Sequence, residues 1–224
     1  MQENTARVIV MVPAYNEAGR IGEVLEKLTR ASYGVVVVDD GSSDATREIA
    51  ARYPVYLLSH PFNLGQGAAI QTALTYALTL DKDIFVTFDA DDQHLLEDIA
   101  RVTDPIAQGR YDVVFGSRFK GHAINMPWLR KQCVRVLTLL YNALFRSKLS
   151  DINCGLRAFS RKAAEQIHIT QNRMAHTLEI VEQVLDKNLA YGEVPITIEY
   201  TDYSLRKGQK LHGVWRVFCD WTMR

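Results

Sequence analysis

An α/β fold, with a mostly parallel central sheet flanked by helices, is what this sequence predicts, and two observations predict it. The apolar runs at residues 8–12 ("VIVMV") and 35–38 ("VVVV") do not alternate with polar residues, so both faces of each strand are expected to be buried. Each run is followed by a segment with helical apolar spacing, and a strand–helix–strand succession builds parallel sheets covered on both sides. In folds of this kind ligands bind beyond the carboxyl ends of the strands. Charged residues gather at those ends here: Asp39 and Asp40 after the second run, Asp89, Asp91 and Asp92 after the fourth.

Taken in order, the first strand stops at Pro13, and "IGEVLEKL" places Ile21, Val24, Leu25 and Leu28 on one helical face. The second strand ends in Asp39 and Asp40. Gly41 suits a tight turn, and Asp44 is placed to cap a short helix beginning at Ala45. "VYLLSH" reads as a third strand, and "GAAIQTALTYAL" as a helix with Ile70, Ala73, Leu74, Ala77 and Leu78 inward. "IFVTF" and "YDVVFGS" are the fourth and fifth strands. After Arg118 the pattern changes. Residues 127–148 read as an amphipathic helix edged by Arg130, Lys131, Arg135, Arg146 and Lys148. A short strand at 156–159, a helix, a second helix in "MAHTLEIVEQVLDKN", and a strand in "YGEVPITIEY" follow, then a basic loop running into a final helix. The expectation is one domain over residues 1–224, with a ligand-binding half at 1–118 and an acceptor-side half at 119–224.

The 224 residues are 47% hydrophobic and 23% charged, an ordinary globular composition with ample material for a core. Twenty-six basic residues balance twenty-six acidic ones, so no global field attracts nucleic acid, and an anionic partner must be met by a local patch. Cys133, Cys154 and Cys219 are far apart and odd in number, which predicts reduced thiols in a cytosolic protein. The N-terminal stretch is too polar for a signal peptide, and no run approaches the ~20 apolar residues of a membrane span.

The chemistry is expected at three clusters. Asp89, Asp91 and Gln93 alternate after Phe88, and oxygen ligands at i and i+2 in extended backbone can converge on a hard cation such as Mg²⁺ or Mn²⁺. The alternative is a solvated loop whose acids cap the next helix. Asp92 and His94 are expected to point the other way and to be structural. In "VVVVDDGSSDAT", turn and cap explain Gly41, Ser43 and Asp44. They do not explain Asp39 and Asp40, which stand where a base or ribose would donate hydrogen bonds to their carboxylates. In "VPAYNEAGR", Pro13 ends the strand, Ala14 keeps the backbone approachable, Tyr15 can line a base pocket, and Glu17 can meet a ribose hydroxyl or sit in a helix's first turn.

Together "PAYNE", "VVDDGSSD", "NLGQGAA", "FDADDQ", "VVFGSRF" and "NCGLRAFSRKA" resemble, in order and spacing, the family 2 glycosyltransferases with a GT-A fold. The similarity leans to the dolichol-phosphate mannose synthase and polyprenyl-phosphate glycosyltransferase branch and covers nearly the whole chain. The resemblance implies that Pro13, Ala14, Tyr15, Glu17, Asp39 and Asp40 frame a nucleotide-diphospho-sugar, UDP- or GDP-linked, together with Gly67, Asp89 and Ala90. It implies that Asp89, Asp91 and Gln93 hold the metal, that Arg118 and Arg157 lie near the phosphates, and that Arg206, Lys207 and Lys210 belong to a basic loop over the diphosphate. Two departures stand out: Gln66 where many relatives carry Lys or Arg, and Cys154 where a small hydroxyl residue is usual.

The family implies an inverting displacement at the anomeric carbon. A hydroxyl acceptor needs a general base, and Glu179 is the candidate. A phosphate monoester, with a second pKa of about 6, needs cationic positioning instead. Arg118, Arg130 and Lys131 suit that task, which favours a polyprenyl phosphate acceptor, with Asp91, Arg118, Arg157 and Glu179 as the catalytic candidates. The basic-edged helix with Trp128 then reads as interfacial, its alternative being an ordinary core helix. The protein is thus expected in the cytoplasm, peripheral at the cytoplasmic face of the inner membrane, for which a small membrane-protein partner is plausible. Rival readings fare worse. A D-x-D phosphatase expects Thr or Val at Gln93, a dinucleotide oxidoreductase expects Gly or Ala at Ile70, and a non-catalytic sugar-nucleotide-binding protein has no need to keep Asp89, Asp91 and Gln93 together.

Overall fold

The structure, a computed structural model, describes residues 7–201. Seven strands form one sheet: β1 Val8–Ala14, β2 Gly34–Asp39, β3 Tyr56–Ser59, β4 Ile84–Thr87, β5 Val113–Ile124, β6 Arg157–Ser160 and β7 Tyr191–Glu199, in the order β3-β2-β1-β4-β6-β5-β7. Neighbours β3, β2, β1 and β4 are parallel, as are β5 and β7, while β6 runs antiparallel to both β4 and β5. The sheet is therefore mostly parallel, as expected, with one reversed strand inserted by the second half of the chain.

The helices are α1 Ile21–Arg30, α2 Thr46–Ala50, α3 Gln66–Ala77, α4 Glu97–Ala107, α5 Trp128–Phe145, α6 Arg161–Gln166 and α7 His176–Asp186. Strand residues alternate between two apolar layers. Ile9, Met11, Val36 and Val38 join α3, α6 and α7 in one, and Val8, Val10, Val12, Val35 and Val37 join α1 and α4 in the other. This double burial is why the strands read as unbroken apolar runs. In α1 the buried residues are Ile21, Val24, Leu25 and Leu28, the face that the spacing predicts. The short helix begins at Thr46 with Ala45 at its N-cap and no side-chain cap. Asp44, expected to cap a helix beginning at Ala45, instead stands one residue before the cap and accepts the Thr46 N–H at 3.0 Å in the turn.

From β1 the chain turns outward to β2 and β3, then crosses back to β4 on the other side of β1. That reversal is a topological switch point, and it opens a crevice at the carboxyl ends of β1 and β4. The helix expected at 127–148 is α5, which ends when Arg146 takes a left-handed conformation with φ 55°. Cys133 and Cys154 are free thiols. Arg206, Lys207, Lys210, Cys219 and the final helix lie outside the described residues.

Candidate active site

On the β1–β2 side of the crevice, two loops are stitched together. Asn16, at φ 54°, donates its N–H to Ser42 Oγ at 2.9 Å, and its side-chain oxygen accepts the Ser43 N–H at 2.8 Å. Glu17 N–H donates to Thr46 Oγ1 at 2.7 Å, and Ala18 N–H to Asp44 Oδ2 at 3.1 Å. Pro13 and Ala14 end β1 beneath these loops, and Tyr15 is exposed at their edge. Asp39, buried at the end of β2, accepts the Ser42 N–H at 3.3 Å on its carboxylate, which has no other hydrogen-bond partner among the described residues. It remains placed to receive a ligand.

Asp40 is not so placed. Its carboxylate is buried and accepts from His60 Nδ1 at 2.7 Å, Asn63 Nδ2 at 3.0 Å, Leu64 N at 2.9 Å and Gly65 N at 2.8 Å. Four donors satisfy the charge internally, so Asp40 holds the loop before α3 instead of meeting a nucleotide. Gly67, also expected at the ligand, serves packing. A Cβ there would come within 2.0 Å of the Gln171 carbonyl oxygen and 2.9 Å of His176 Cβ, so only glycine lets α3 and the start of α7 close on each other.

On the β4 side, Asp89 emerges at the mouth of the strand. Gln66 Nε2 donates to its Oδ1 at 2.9 Å, and His94 Nε2 lies 3.2 Å from its Oδ2. A Cβ at Gly155 would fall 2.2 Å from Oδ2, and Thr87 Oγ1 donates to the Gly155 carbonyl at 2.6 Å, so the chain before β6 is drawn against the carboxylate. His94 thus points toward Asp89, contrary to the expectation that it faces away. Among the described residues its Nδ1 is enclosed without a partner, which favours the tautomer donating from Nε2 and leaving a bare lone pair behind. Burial pushes the Asp89 carboxyl up, but the hydrogen bond from His94, helped by the charge of Arg157, holds it below the usual range. Asp92, at φ 61°, does turn away and pairs with Lys27 at 2.7 Å.

Ala90 is buried between the two acids. Asp91 accepts the Gln93 N–H at 3.2 Å on Oδ1 and the Gln93 side-chain amide on Oδ2. Burial first, then the charge of Asp89, push its pKa up to about 6. Gln93 thus offers its amide nitrogen to Asp91, and the charged oxygen donors of the motif are the carboxylates of Asp89 and Asp91. Among the described residues no group of three or more His, Cys, Asp or Glu side chains gathers to hold a metal. Two hard carboxylates, one of them raised for want of countercharge, fit a divalent cation that draws its remaining ligands from phosphate and water.

The basic residues divide in an unforeseen way. Arg118 is 5% exposed; its Nε meets Asp151 Oδ2 at 2.6 Å, its Nη2 meets the Asn153 carbonyl at 2.9 Å, and its Nη1 meets Tyr200 Oη at 2.5 Å. Burial lowers its pKa, but Asp151 outweighs this and raises it. A guanidinium so engaged has no free edge for a phosphate, which corrects its assignment to the acceptor. Arg157, 2% exposed, donates to the carbonyls of Cys154, Ile152 and Thr177 at 2.9, 3.0 and 3.2 Å and lies over the Phe115 ring. Burial pulls it down to about 10. It ties the 152–154 loop to α7 and places positive charge behind Asp89. Arg130 sits over the Tyr200 ring at 5.1 Å, and Lys131 is half-buried in the first turn of α5.

Glu179 is corrected most plainly. It is buried and accepts from Thr170 N at 3.0 Å, Thr170 Oγ1 at 2.5 Å and Gln171 N at 2.9 Å. It anchors the loop before α7, and three donors leave it poorly suited to take a proton from a substrate.

Four residues not assigned to the site beforehand complete it: His94, expected to be structural, and Gly155 against Asp89, and Asn153 and His176 in a pocket beside it. "DADDQH" places His94 close enough to have been suspected. The other three come from the second half of the chain and are brought there only by β6 and α7.

The match to known proteins is broad. Residues 9–168 match Glycosyl transferase family 2. The chain is 33% identical, over 94% of its length and 93% of the relative's, to UDP-N-acetylglucosamine–dolichyl-phosphate N-acetylglucosaminyltransferase of Methanococcus voltae. It is likewise 33% identical, over 84% of its length and 80% of the relative's, to dolichyl-phosphate hexose transferase of Haloferax volcanii. Among solved structures, glucosyl-3-phosphoglycerate synthase from Mycobacterium tuberculosis, in complex with Mn²⁺, uridine diphosphate and glucosyl-3-phosphoglycerate, superposes with a TM-score of 0.75 at 16% identity. That superposition covers 99% of this chain and 81% of the other, a likeness of fold.

Proposed function

This chain belongs to glycosyl transferase family 2, and on that premise we propose that it moves a sugar from a nucleotide-diphospho-sugar to a polyprenyl phosphate, with inversion and with Mg²⁺ or Mn²⁺. The observation that carries the choice of acceptor is Glu179. The carboxylate expected to serve as base for a hydroxyl acceptor is buried under three donors. Asp40 is used by four, and Asp151 is paired with Arg118. An acceptor that brings its own negative charge needs no base, and a phosphate monoester is largely dianionic at neutral pH, its second pKa being about 6. The names of the Methanococcus voltae and Haloferax volcanii relatives support the same acceptor class.

In this reading the stitched 15–18 and 41–46 loops and Asp39 frame the nucleotide, and Asp89 and Asp91 face the diphosphate. A cation held by those two carboxylates supplies neutralisation of the charge that grows on the leaving diphosphate. One acceptor phosphate oxygen attacks the anomeric carbon from the face opposite the diphosphate. The new carbon–oxygen bond forms as the old one breaks, the bonding pair leaves with the nucleoside diphosphate, and no proton has to move. Arg130 and Lys131, in the first turns of α5, are the cations that receive the acceptor phosphate. The exposed apolar face of the same helix rests on the membrane that holds the lipid. No helix among the described residues is long and apolar enough to cross a membrane.

The test is transfer of labelled sugar into the organic phase from a panel of UDP- and GDP-sugars, with undecaprenyl phosphate and Mn²⁺ or Mg²⁺. Activity is expected to be lost on chelation and in Asp91→Ala, and to persist in Glu179→Gln protein that remains folded. Transfer only to a glycan hydroxyl, abolished by Glu179→Gln without loss of structure, would falsify the lipid-phosphate reading.

A further inference from the structure

Beside Asp89 lies a pocket of about 390 Å³, counting its open mouth. Gln66, Asp89, Asn153 and His176 contribute its polar lining, and Ile70, Met174 and Ile180 an apolar one. Two of the polar groups are already committed to each other, since Gln66 Nε2 donates to Asp89. His176 is not committed to the reaction derived above. It opens α7, is 3% exposed, and has Nδ1 2.7 Å from the Arg173 carbonyl oxygen. A carbonyl only accepts, so Nδ1 carries the hydrogen and Nε2 keeps a bare lone pair. Among the described residues no partner meets Nε2, and it is not one of the polar atoms sealed from solvent. Burial, with the nearby charge of Arg157, pulls the imidazole down to about 4, so it is a neutral acceptor throughout the physiological range.

The group that fits has to bring an N–H or O–H donor for His176 and an apolar part for Ile70, Met174 and Ile180. A sugar hydroxyl meets the first demand alone. An acylamino group meets both, its N–H directed at the lone pair and its methyl at the aliphatic wall. Asn153, whose side-chain amide has no partner among the described residues, supplies a donor for the acyl carbonyl. The position is also right, for the pocket is lined by Asp89, the carboxylate assigned above to the diphosphate that carries the sugar. Resting on the glycosyl-transfer reading above, we propose that this pocket receives an acylamino substituent of the donor sugar and that His176 determines specificity by accepting its N–H.

The experiment is calorimetric titration of the full chain, with Mn²⁺, by UDP, UDP-glucose, UDP-N-acetylglucosamine and GDP-mannose. UDP-N-acetylglucosamine is expected to bind about tenfold more tightly than UDP-glucose, the effect of one neutral hydrogen bond plus a buried methyl. His176→Phe should bring that ratio close to one while leaving the affinity for UDP itself unchanged. His176→Gln, which keeps an acceptor, should retain part of the preference and guards against misfolding of the Phe variant. Preference for UDP-glucose or GDP-mannose, absence of binding by all four, or equal weakening of UDP and both uridine donors in His176→Phe overturns the assignment. The titration contains no acceptor. Failure of the lipid-phosphate reading therefore shows in the transfer assay alone, and failure of the acylamino pocket shows here.

Discussion

Asp89 and Asp91 share a motif but not an environment. His94, Gln66 and Arg157 favour the ionised form of Asp89, whereas Asp91 is raised to about 6 by burial and by Asp89 itself. A carboxyl whose folded pKa lies above its unfolded value of 3.8 contributes stability that is fully present below 3.8 and lost as pH rises through 6. Metal-free Asp91→Asn protein should therefore be more stable than the parent at pH 8, by on the order of 1–2 kcal/mol, and no more stable at pH 3.5. Thermal melts at both pH values, in chelator, check this. Because a cation competes with the proton, Mn²⁺ affinity should rise between pH 5 and 7 and level off above. Affinity independent of pH across that window would remove Asp91 from the metal site.

Helix α5 has two faces of opposite fate. Val134, Thr138 and Tyr141 are buried, with Tyr141 stacked on Phe145 at 4.6 Å and donating to the Leu178 carbonyl at 3.1 Å. On the other side Trp128, Leu139 and Leu144 are 71%, 67% and 62% exposed, joined by Leu129, Val136 and Leu140. An ordinary surface helix covers one apolar stripe and presents a polar one; this helix is apolar on both. It carries no acidic residue, and Arg130, Lys131 and Arg135 lie along it. Such a face suits an anionic lipid surface. The parent chain should cosediment with anionic liposomes at low salt, and Leu139→Glu with Leu144→Glu should abolish this without lowering the melting temperature, since both side chains are already in solvent. Retained binding in the double variant would remove α5 as the anchor.

For the whole molecule, the crevice is the place where the β1–β2 loops, the end of β4 and the 152–157 segment meet, so a ligand there bridges both halves of the chain. Nucleoside diphosphate with Mn²⁺ at a hundred times its dissociation constant should stabilise the fold by about 2.7 kcal/mol, raising the melting temperature by roughly 5–10 °C. Chelation should reverse most of the shift. A melt that responds to Mn²⁺ and nucleotide separately but never jointly would argue against a shared site.

Much of this was legible in the residues. Unbroken apolar runs mean strands buried on both faces, helical spacing means crossovers, and acids at strand ends mean a site, because these are local consequences of chain geometry. That is why Asp39, Asp89 and Asp91 could be placed at the strand ends, and why the buried face of α1 was named residue by residue. The fates of Asp40, Arg118 and Glu179 were not legible. Whether a charged side chain meets a ligand or a protein partner depends on donors and acceptors many positions away: Gly65 for Asp40, Asp151 for Arg118, and Thr170 for Glu179. The strand at 156–159 was legible, but not that β6 runs antiparallel, which carries Gly155 to Asp89 and Arg157 behind it. The sequence by itself determined the sheet, its helices and the acids at the crevice, since periodicity is a property of the chain. Only the tertiary structure decided which charges are free, because compensation of a buried charge is a property of its neighbours in space.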